Sequence, residues 1–175
     1  MNYLKSVIPN FVFIYGSFMA PSLSNPKGKD VLAGDVKLFA KPVDSARYVM
    51  VQFVKKAVTL YDWLDANERS RGFAVACQEI YSQVLLALAV AQERYDFSHN
   101  DLHGWNILVT QLKERHTIAY PMLSGKTVYL ETGYLVTIID YGYAHANIPV
   151  TREVARRVSA LRAPGVPEQV QLVTT

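Results

Sequence analysis

The sequence predicts an α+β fold. Three observations carry that expectation. Short aromatic and β-branched runs bounded by Gly, Ser, Asn and Pro occupy the first third of the chain, an apolar stretch at helical spacing runs from Phe73 to about Tyr95, and residues 97 to 145 alternate β-rich runs with turn residues. The 175 residues are 50% apolar, 11% aromatic and 19% charged, with only 9 Gly and 8 Pro. That composition supplies one compact core, is too short for two ordinary domains, and excludes disordered, collagen-like and coiled-coil chains.

Phe11 to Tyr15, closed by Gly16-Ser17, has the form of a buried strand. Residues 21 to 30 collect Pro, Ser, Asn, Gly and Lys and read as a solvated loop. Val36 to Ala40 and Arg47 to Val54 read as two further strands about a KPVDS turn, which makes a small antiparallel sheet. Thr59 is placed to cap a short helix whose Leu60, Trp63 and Leu64 share a face. From Phe73 to Tyr95, Ile80, Val84, Ala87, Leu88 and Ala91 recur at helical spacing and VLLALAVA is apolar nearly all round, so this helix is expected to be central and buried. Beyond it lie the runs ILVT, HTIAY, TVYL and GYLVTIID, with 107 to 110 and 135 to 139 expected as neighbouring strands. Thr151 opens a short amphipathic helix whose Arg152, Arg156 and Arg157 read as a solvated face.

Charge and cysteine usage exclude several function classes. Lys+Arg of 18 against Asp+Glu of 15 leaves a formal +3, too little clustered charge to indicate nucleic acid. Cys77 is the single cysteine, so the chain has no internal disulfide and no cysteine zinc cluster, which fits the cytoplasm or nucleus. The longest uninterrupted apolar run, Val84 to Ala91, falls short of a membrane span, and no membrane partner is expected. Lys5 followed by Val7 to Ala20 mimics a signal peptide, but Pro9, Asn10, Gly16 and Ser17 interrupt it.

The chemistry-bearing segment is Phe97-Ser-His-Asn-Asp-Leu-His-Gly-Trp-Asn-Ile-Leu-Val109, a polar loop between a buried helix and a strand. Further on, Tyr134 to Tyr143 (YLVTIIDYGY) ends an apolar strand in an Asp followed by Tyr-Gly. Phosphoryl transfer from ATP needs a carboxylate to accept the hydroxyl proton, and an amide oxygen and a second carboxylate to hold Mg²⁺ on the phosphates. Asp101, Asn106 and Asp140 supply that set.

His99-Asn-Asp101, Asn106 five residues on, and Asp140-Tyr-Gly142 together resemble the catalytic-loop and metal-binding motifs of the protein kinase superfamily. More narrowly they resemble haspin and the kinases of large DNA viruses, through DLHGWNILV, the helix before it, and the long hairpin between the two motifs. The resemblance implies a protein-kinase-like α+β fold with an incomplete N-lobe sheet and hinge over 1–54 and part of a C-lobe over 55–175, with catalytic loop 99–106 and metal motif 140–142. It implies Asp101 as catalytic base, Asn106 and Asp140 as metal ligands, His99 as a loop-fixing residue, and His103 at the place of the usual phosphate-binding lysine of the loop. Asn100 stands where such loops carry an arginine that pairs with a phosphorylated activation loop. Val51 would lie near the gatekeeper, Gln52, Phe53 and Val54 would offer backbone groups to adenine, and Leu108 would form the floor under the base or be an ordinary core residue.

The sequence also departs from the pattern. It holds no G-x-G-x-x-G before a strand, no V-A-I-K-like lysine and no A-P-E, so it reads as the middle of a kinase domain whose missing N-lobe a longer chain would supply. The expected function is an ATP- and Mg²⁺-dependent Ser/Thr protein phosphotransferase, a fragment or shortened copy weak or inactive alone, with ATP and a protein substrate as partners. A pseudokinase that binds nucleotide or a partner without transfer, and a small-molecule kinase of aminoglycoside or choline type, are the alternatives. His99, Asp101 and His103 at alternate positions also admit a zinc cluster. Trp105 reads as a packing residue and Cys77 as inert.

Overall fold

The computed structural model describes residues 1–21 and 45–147. It forms two compact units, Phe13–Phe53 and Met1–Val12 together with Val54–Thr175, so the first twelve residues belong with the larger unit. The expected loop 22–30, the strand at 36–40 and the helix opening at Thr151 lie outside the described residues.

In the smaller unit β1 (Ile14–Pro21) pairs antiparallel with β2 (Ser45–Val51), from Ile14 opposite Val51 to Pro21 opposite Ser45, with a bulge between Ile14 and Gly16. Phe18 and Tyr48 stack across the pair at 5.4 Å between ring centroids. The strand expected at Phe11 starts at Ile14 instead. Phe11 is fully buried in the larger unit, where its ring meets Phe97 edge-on at 5.7 Å. Apolar, β-branched character marks burial and extension, and cannot say which of two cores takes the side chain. The second strand stops at Val51 rather than Val54, and the Gln52 N–H then donates to the Phe13 carbonyl at 2.8 Å.

In the larger unit α1 (Asn2–Val7) precedes β3 (Val58–Thr59), α2 (Leu60–Asn67), α3 (Phe73–Tyr95), β4 (Ile107–Pro121) and β5 (Thr127–Ile138). The sheet order is β3-β4-β5, antiparallel throughout, and Ile107 faces Ile138 as the sequence leads one to expect of neighbouring strands. Thr59 caps α2, its hydroxyl oxygen accepting the Asp62 N–H at 3.1 Å. The four β-rich runs beyond α3 are two long strands, because the register slips between Gln111 and His116 without ending the ladder. Leu4, Ile8 and Phe11 pack with Ala87, Val90 and Ala91 of α3 and with Ile118, Tyr120 and Ile138 of the sheet. A second cluster joins Leu60 and Trp63 to Ile80, Val84, Ile107, Val109 and Val136.

Helix α3 has the expected bounds but not the expected surface. Leu85 is 67% exposed, whereas Glu79 and Gln83 are buried. The reason lies in β5, an edge strand whose outward backbone groups need partners. Glu79 Oε2 accepts the Gly133 N–H at 2.9 Å and the Thr132 hydroxyl at 3.1 Å. Gln83 Oε1 accepts the Val136 N–H at 3.0 Å, and Gln83 Nε2 donates to the Tyr134 carbonyl at 3.0 Å. Asn10 completes the edge, its Nδ2 donating to the Val136 carbonyl at 2.9 Å and its own carbonyl accepting the Ile138 N–H at 2.8 Å. By length and composition alone α3 is long and apolar enough to cross a membrane, a property that counting uninterrupted apolar runs does not register. Its buried carboxylate and amide are those of a helix plugging a sheet edge.

Candidate active site

The chain leaves α3 through Asp96 in left-handed conformation (φ 48°), which reverses it toward β5. Ser98 and His145 then exchange two backbone hydrogen bonds of 2.9 and 2.8 Å, bringing the segments on either side of the site together. His99 is buried, and its Nε2 donates to the Ile139 carbonyl at 2.9 Å, which leaves Nδ1 as the acceptor nitrogen. Asn100 is also left-handed (φ 61°), a conformation Asn tolerates better than most residues, and its Nδ2 donates to the Tyr143 carbonyl at 2.9 Å.

Asp101, His103 and Asn106 meet in the next turn. The Asp101 carbonyl accepts from Asn106 Nδ2 at 2.9 Å, while its half-exposed carboxylate lies 3.9 Å from His103 Nε2, beyond hydrogen-bond reach. His103 caps the single 3₁₀ turn Gly104–Asn106, with Nδ1 3.3 Å from the Trp105 nitrogen and Nε2 3.2 Å from Asn106 Nδ2. A neutral imidazole accepts at one nitrogen only, so the ring serves one of these two donors at a time. Trp105 packs, but at the surface: it is 52% exposed and stacks on Tyr61 of α2 at 4.9 Å, nearly parallel.

Asn106 links the loop to the second motif. Its carbonyl accepts the Ile139 N–H at 3.0 Å, and Asp140 follows directly. Asp140 is exposed and left-handed (φ 59°), its Oδ1 accepting the Gly142 N–H at 3.2 Å. The donor set suits Mg²⁺: the Asn106 amide nitrogen donates to the Asp101 carbonyl, so its side-chain oxygen is the atom left to ligate, and Asp140 adds an exposed carboxylate. Both are hard oxygen donors. The zinc alternative fails on the same geometry, because His99 points at Ile139 and no group of three or more His, Cys, Asp or Glu among the described residues is arranged to hold a metal.

The residues expected to take adenine belong in part to each unit. Val51 ends β2 half-exposed and Phe53 is 82% exposed, both in the smaller unit, where Gln52 Oε1 accepts the Phe13 N–H at 3.3 Å. Val54 begins the second stretch of the larger unit. Leu108 sits between Ile107 and Val109 on β4, and those two neighbours enter the α2–α3 core while Leu108 does not. Strand alternation therefore turns it to the opposite face, where it is partly exposed. Cys77 is half-buried, and burial pushes its thiol up, away from the reactive thiolate. Sequence reasoning missed Tyr141, whose hydroxyl accepts the Val12 N–H at 3.2 Å and donates to the Ile138 carbonyl. The one signal for it was a phenol where the strand otherwise ends in apolar residues.

The family described as haspin-like kinase domain matches residues 71–158, half of the chain. The chain belongs to the haspin-like kinase family. The chain is 46% identical over 68 residues to uncharacterized protein 179R of Invertebrate iridescent virus 6, covering 38% of this chain and 6% of that protein. Over 66 residues it is 42% identical to the serine/threonine-protein kinase haspin homolog of Drosophila melanogaster, covering 38% of this chain and 12% of the fly protein. Over 68 residues it is 44% identical to serine/threonine-protein kinase haspin of Mus musculus, covering 37% and 8%. The chain thus spans a small part of the length of these relatives. Among solved structures, the crystal structure of a kinase domain aligns with TM-score 0.41 and 18% identity over 86% of this chain and 39% of that one. The matched range 71–158 contains Asp101, His103, Asn106, Leu108 and Asp140 and leaves Val51 to Val54 outside it.

Proposed function

We propose that this chain binds ATP with Mg²⁺ and carries the acceptor-activating half of a Ser/Thr protein phosphotransferase. The observation that carries the reading is the Asn106 carbonyl to Ile139 N–H hydrogen bond of 3.0 Å, which ties the loop bearing Asp101 and Asn106 to the residue preceding Asp140. Asp101 takes the proton of the attacking hydroxyl, and its freedom from side-chain hydrogen bonds among the described residues supports that role. Asn106 and Asp140 hold the metal, which supplies charge neutralisation on the transferring phosphates. His103 donates to a phosphate oxygen from the nitrogen that faces Asp101 and Asn106. Val51 to Val54 and Leu108 are assigned to adenine on the strength of the resemblance, with the orientation of Leu108 in support for that residue. A protein acceptor and an intracellular setting belong to the same proposal, the latter supported by the single cysteine.

The sequence holds no glycine-rich loop and no lysine in a strand context suited to the α- and β-phosphates. Positioning and charge supply almost all of the rate in phosphoryl transfer, so these residues alone transfer phosphate weakly or not at all. The test is thermal unfolding of the 175-residue chain with ATP, with and without Mg²⁺, alongside labelled-phosphate transfer to a mixed protein acceptor. Mg²⁺-dependent stabilisation by ATP that Asp140→Ala removes is the expected result. Absence of any Mg-ATP effect overturns the nucleotide-binding reading, and transfer unaffected by Asp101→Asn removes that residue from the catalytic role. Transfer to aminoglycosides or choline in preference to protein selects the small-molecule kinase alternative.

A further inference from the structure

We infer that the Tyr141 hydroxyl is a positioning group that holds Asp140 in its metal-binding conformation by bridging the N-terminal segment to the end of β5. The inference rests on the proposed metal role of Asp140. It starts from a local problem: Asp140 is a non-glycine residue at φ 59°, a region that costs an ordinary L-residue energy and persists only when the surroundings fix it. The backbone just before it is fixed at three points. The Ile139 N–H donates to Asn106, the Ile139 carbonyl accepts from His99 Nε2, and the Ile138 carbonyl accepts from the Tyr141 hydroxyl. This last bond closes a ring around Asp140, from the side chain of the residue after it to the carbonyl two residues before it.

The same hydroxyl accepts the Val12 N–H at 3.2 Å, and Val12 is buried. Val12 follows Asn10 and Phe11, which are themselves bonded to β5 at Val136 and Ile138. One phenol therefore reports to Asp140 whether the N-terminal segment is seated on the edge of β5. The Tyr141 ring lies 6.2 Å from Phe11 and 6.0 Å from His99, so a phenylalanine fills the same space and loses only the two hydrogen bonds.

The test is Tyr141→Phe in the full chain, read in two ways below its own melting midpoint. The first is amide hydrogen exchange at Val12 and at residues 140–142, with no metal or nucleotide present. Exchange at both places is expected to speed up together by about ten-fold, the effect of leaving one buried donor unpaired. The second is the Mg²⁺ concentration giving half-maximal stabilisation by ATP, expected to rise by a similar factor while any effect of ATP with EDTA stays unchanged. A merely structural phenol would lower both effects of ATP alike. Unchanged exchange at 140–142 in Tyr141→Phe overturns the inference whatever the metal experiment gives. If wild type and Asp140→Ala respond identically to Mg²⁺, the metal reading fails while the exchange result still decides whether the hydroxyl positions Asp140. Faster exchange at 140–142 with an unaltered Mg²⁺ requirement overturns the link to metal binding.

Discussion

The carbonyl of Asn106 and the amide of Ile139 meet at 3.0 Å, so the last residue of the catalytic-type loop and the residue preceding Asp140 are hydrogen-bonded neighbours. The two motifs, separated by a 15-residue and a 12-residue strand, are held at one end of the hairpin those strands form. Because that end is also where β4 begins and β5 finishes, hairpin pairing itself delivers the site.

Changing either candidate ligand separates metal binding from loop support. Asp140→Gly is expected to abolish Mg²⁺-dependent stabilisation by ATP and to leave the melting temperature nearly unchanged, since Asp140 is exposed and glycine adopts its φ of 59° without strain. Asn106→Ala abolishes it too and costs about 1–3 kcal/mol of stability besides, because the buried amide that holds the Asp101 carbonyl is lost. Urea unfolding of both variants, with and without Mg-ATP, measures the difference. Equal stability for the two would show that the Asn106 side chain does not support the loop.

Gln83 plugs the outer edge of β5, and removing its amide exposes that function. Gln83→Leu keeps the volume but leaves the Val136 N–H without its side-chain partner in the interior, at about 1–3 kcal/mol, and leaves the Tyr134 carbonyl with the Thr132 hydroxyl alone. Chemical denaturation reads the loss, and a variant within about 0.5 kcal/mol of wild type would contradict the edge-plug account.

Acid sensitivity follows from Glu79. Burial alone would raise its pKa, but the Gly133 amide, the Arg115 guanidinium and the Thr132 hydroxyl outweigh burial and hold the carboxyl below its ordinary value of 4.5. A carboxylate depressed in the folded state adds stability that is present above the unfolded pKa and is lost as pH falls through the folded one. The melting temperature should therefore drop as pH is lowered below about 4.5, and Glu79→Gln should start lower at neutral pH and drop less steeply. Parallel pH profiles for the two proteins would count against it.

Asn100 offers a test of how the loop is fastened to the segment after Asp140. Asn100→Gly keeps the left-handed backbone and deletes the bond to the Tyr143 carbonyl, whereas Asn100→Ala loses both. The alanine variant should be the less stable by about 1–2 kcal/mol, the cost of left-handed backbone for an ordinary side chain. Thermal unfolding of the pair decides, and equal midpoints would mean the backbone relaxes out of that region.

What the sequence determined by itself is what depends on local order along the chain. Helix α3 keeps its expected bounds because 3.6-residue periodicity and the glycine before it are properties of one segment. The spacing of Asp101 and Asn106, and the pairing of 107 to 110 with 135 to 139, follow from a loop and a hairpin whose ends are near in sequence pattern. Tertiary structure decided the rest. Phe11 reads as a strand residue and is drawn into the core beside Phe97, since hydrophobic burial has no direction and the larger core takes it. Glu79 and Gln83 have no role in the apolar pattern of that helix and are buried because an edge strand distant in sequence needed donors and acceptors that only long-range pairing could reveal. Tyr141 gained its two partners the same way: residue types and spacing name a phenol, but which backbone groups lie within its reach is set when Val12 and Ile138 are brought side by side.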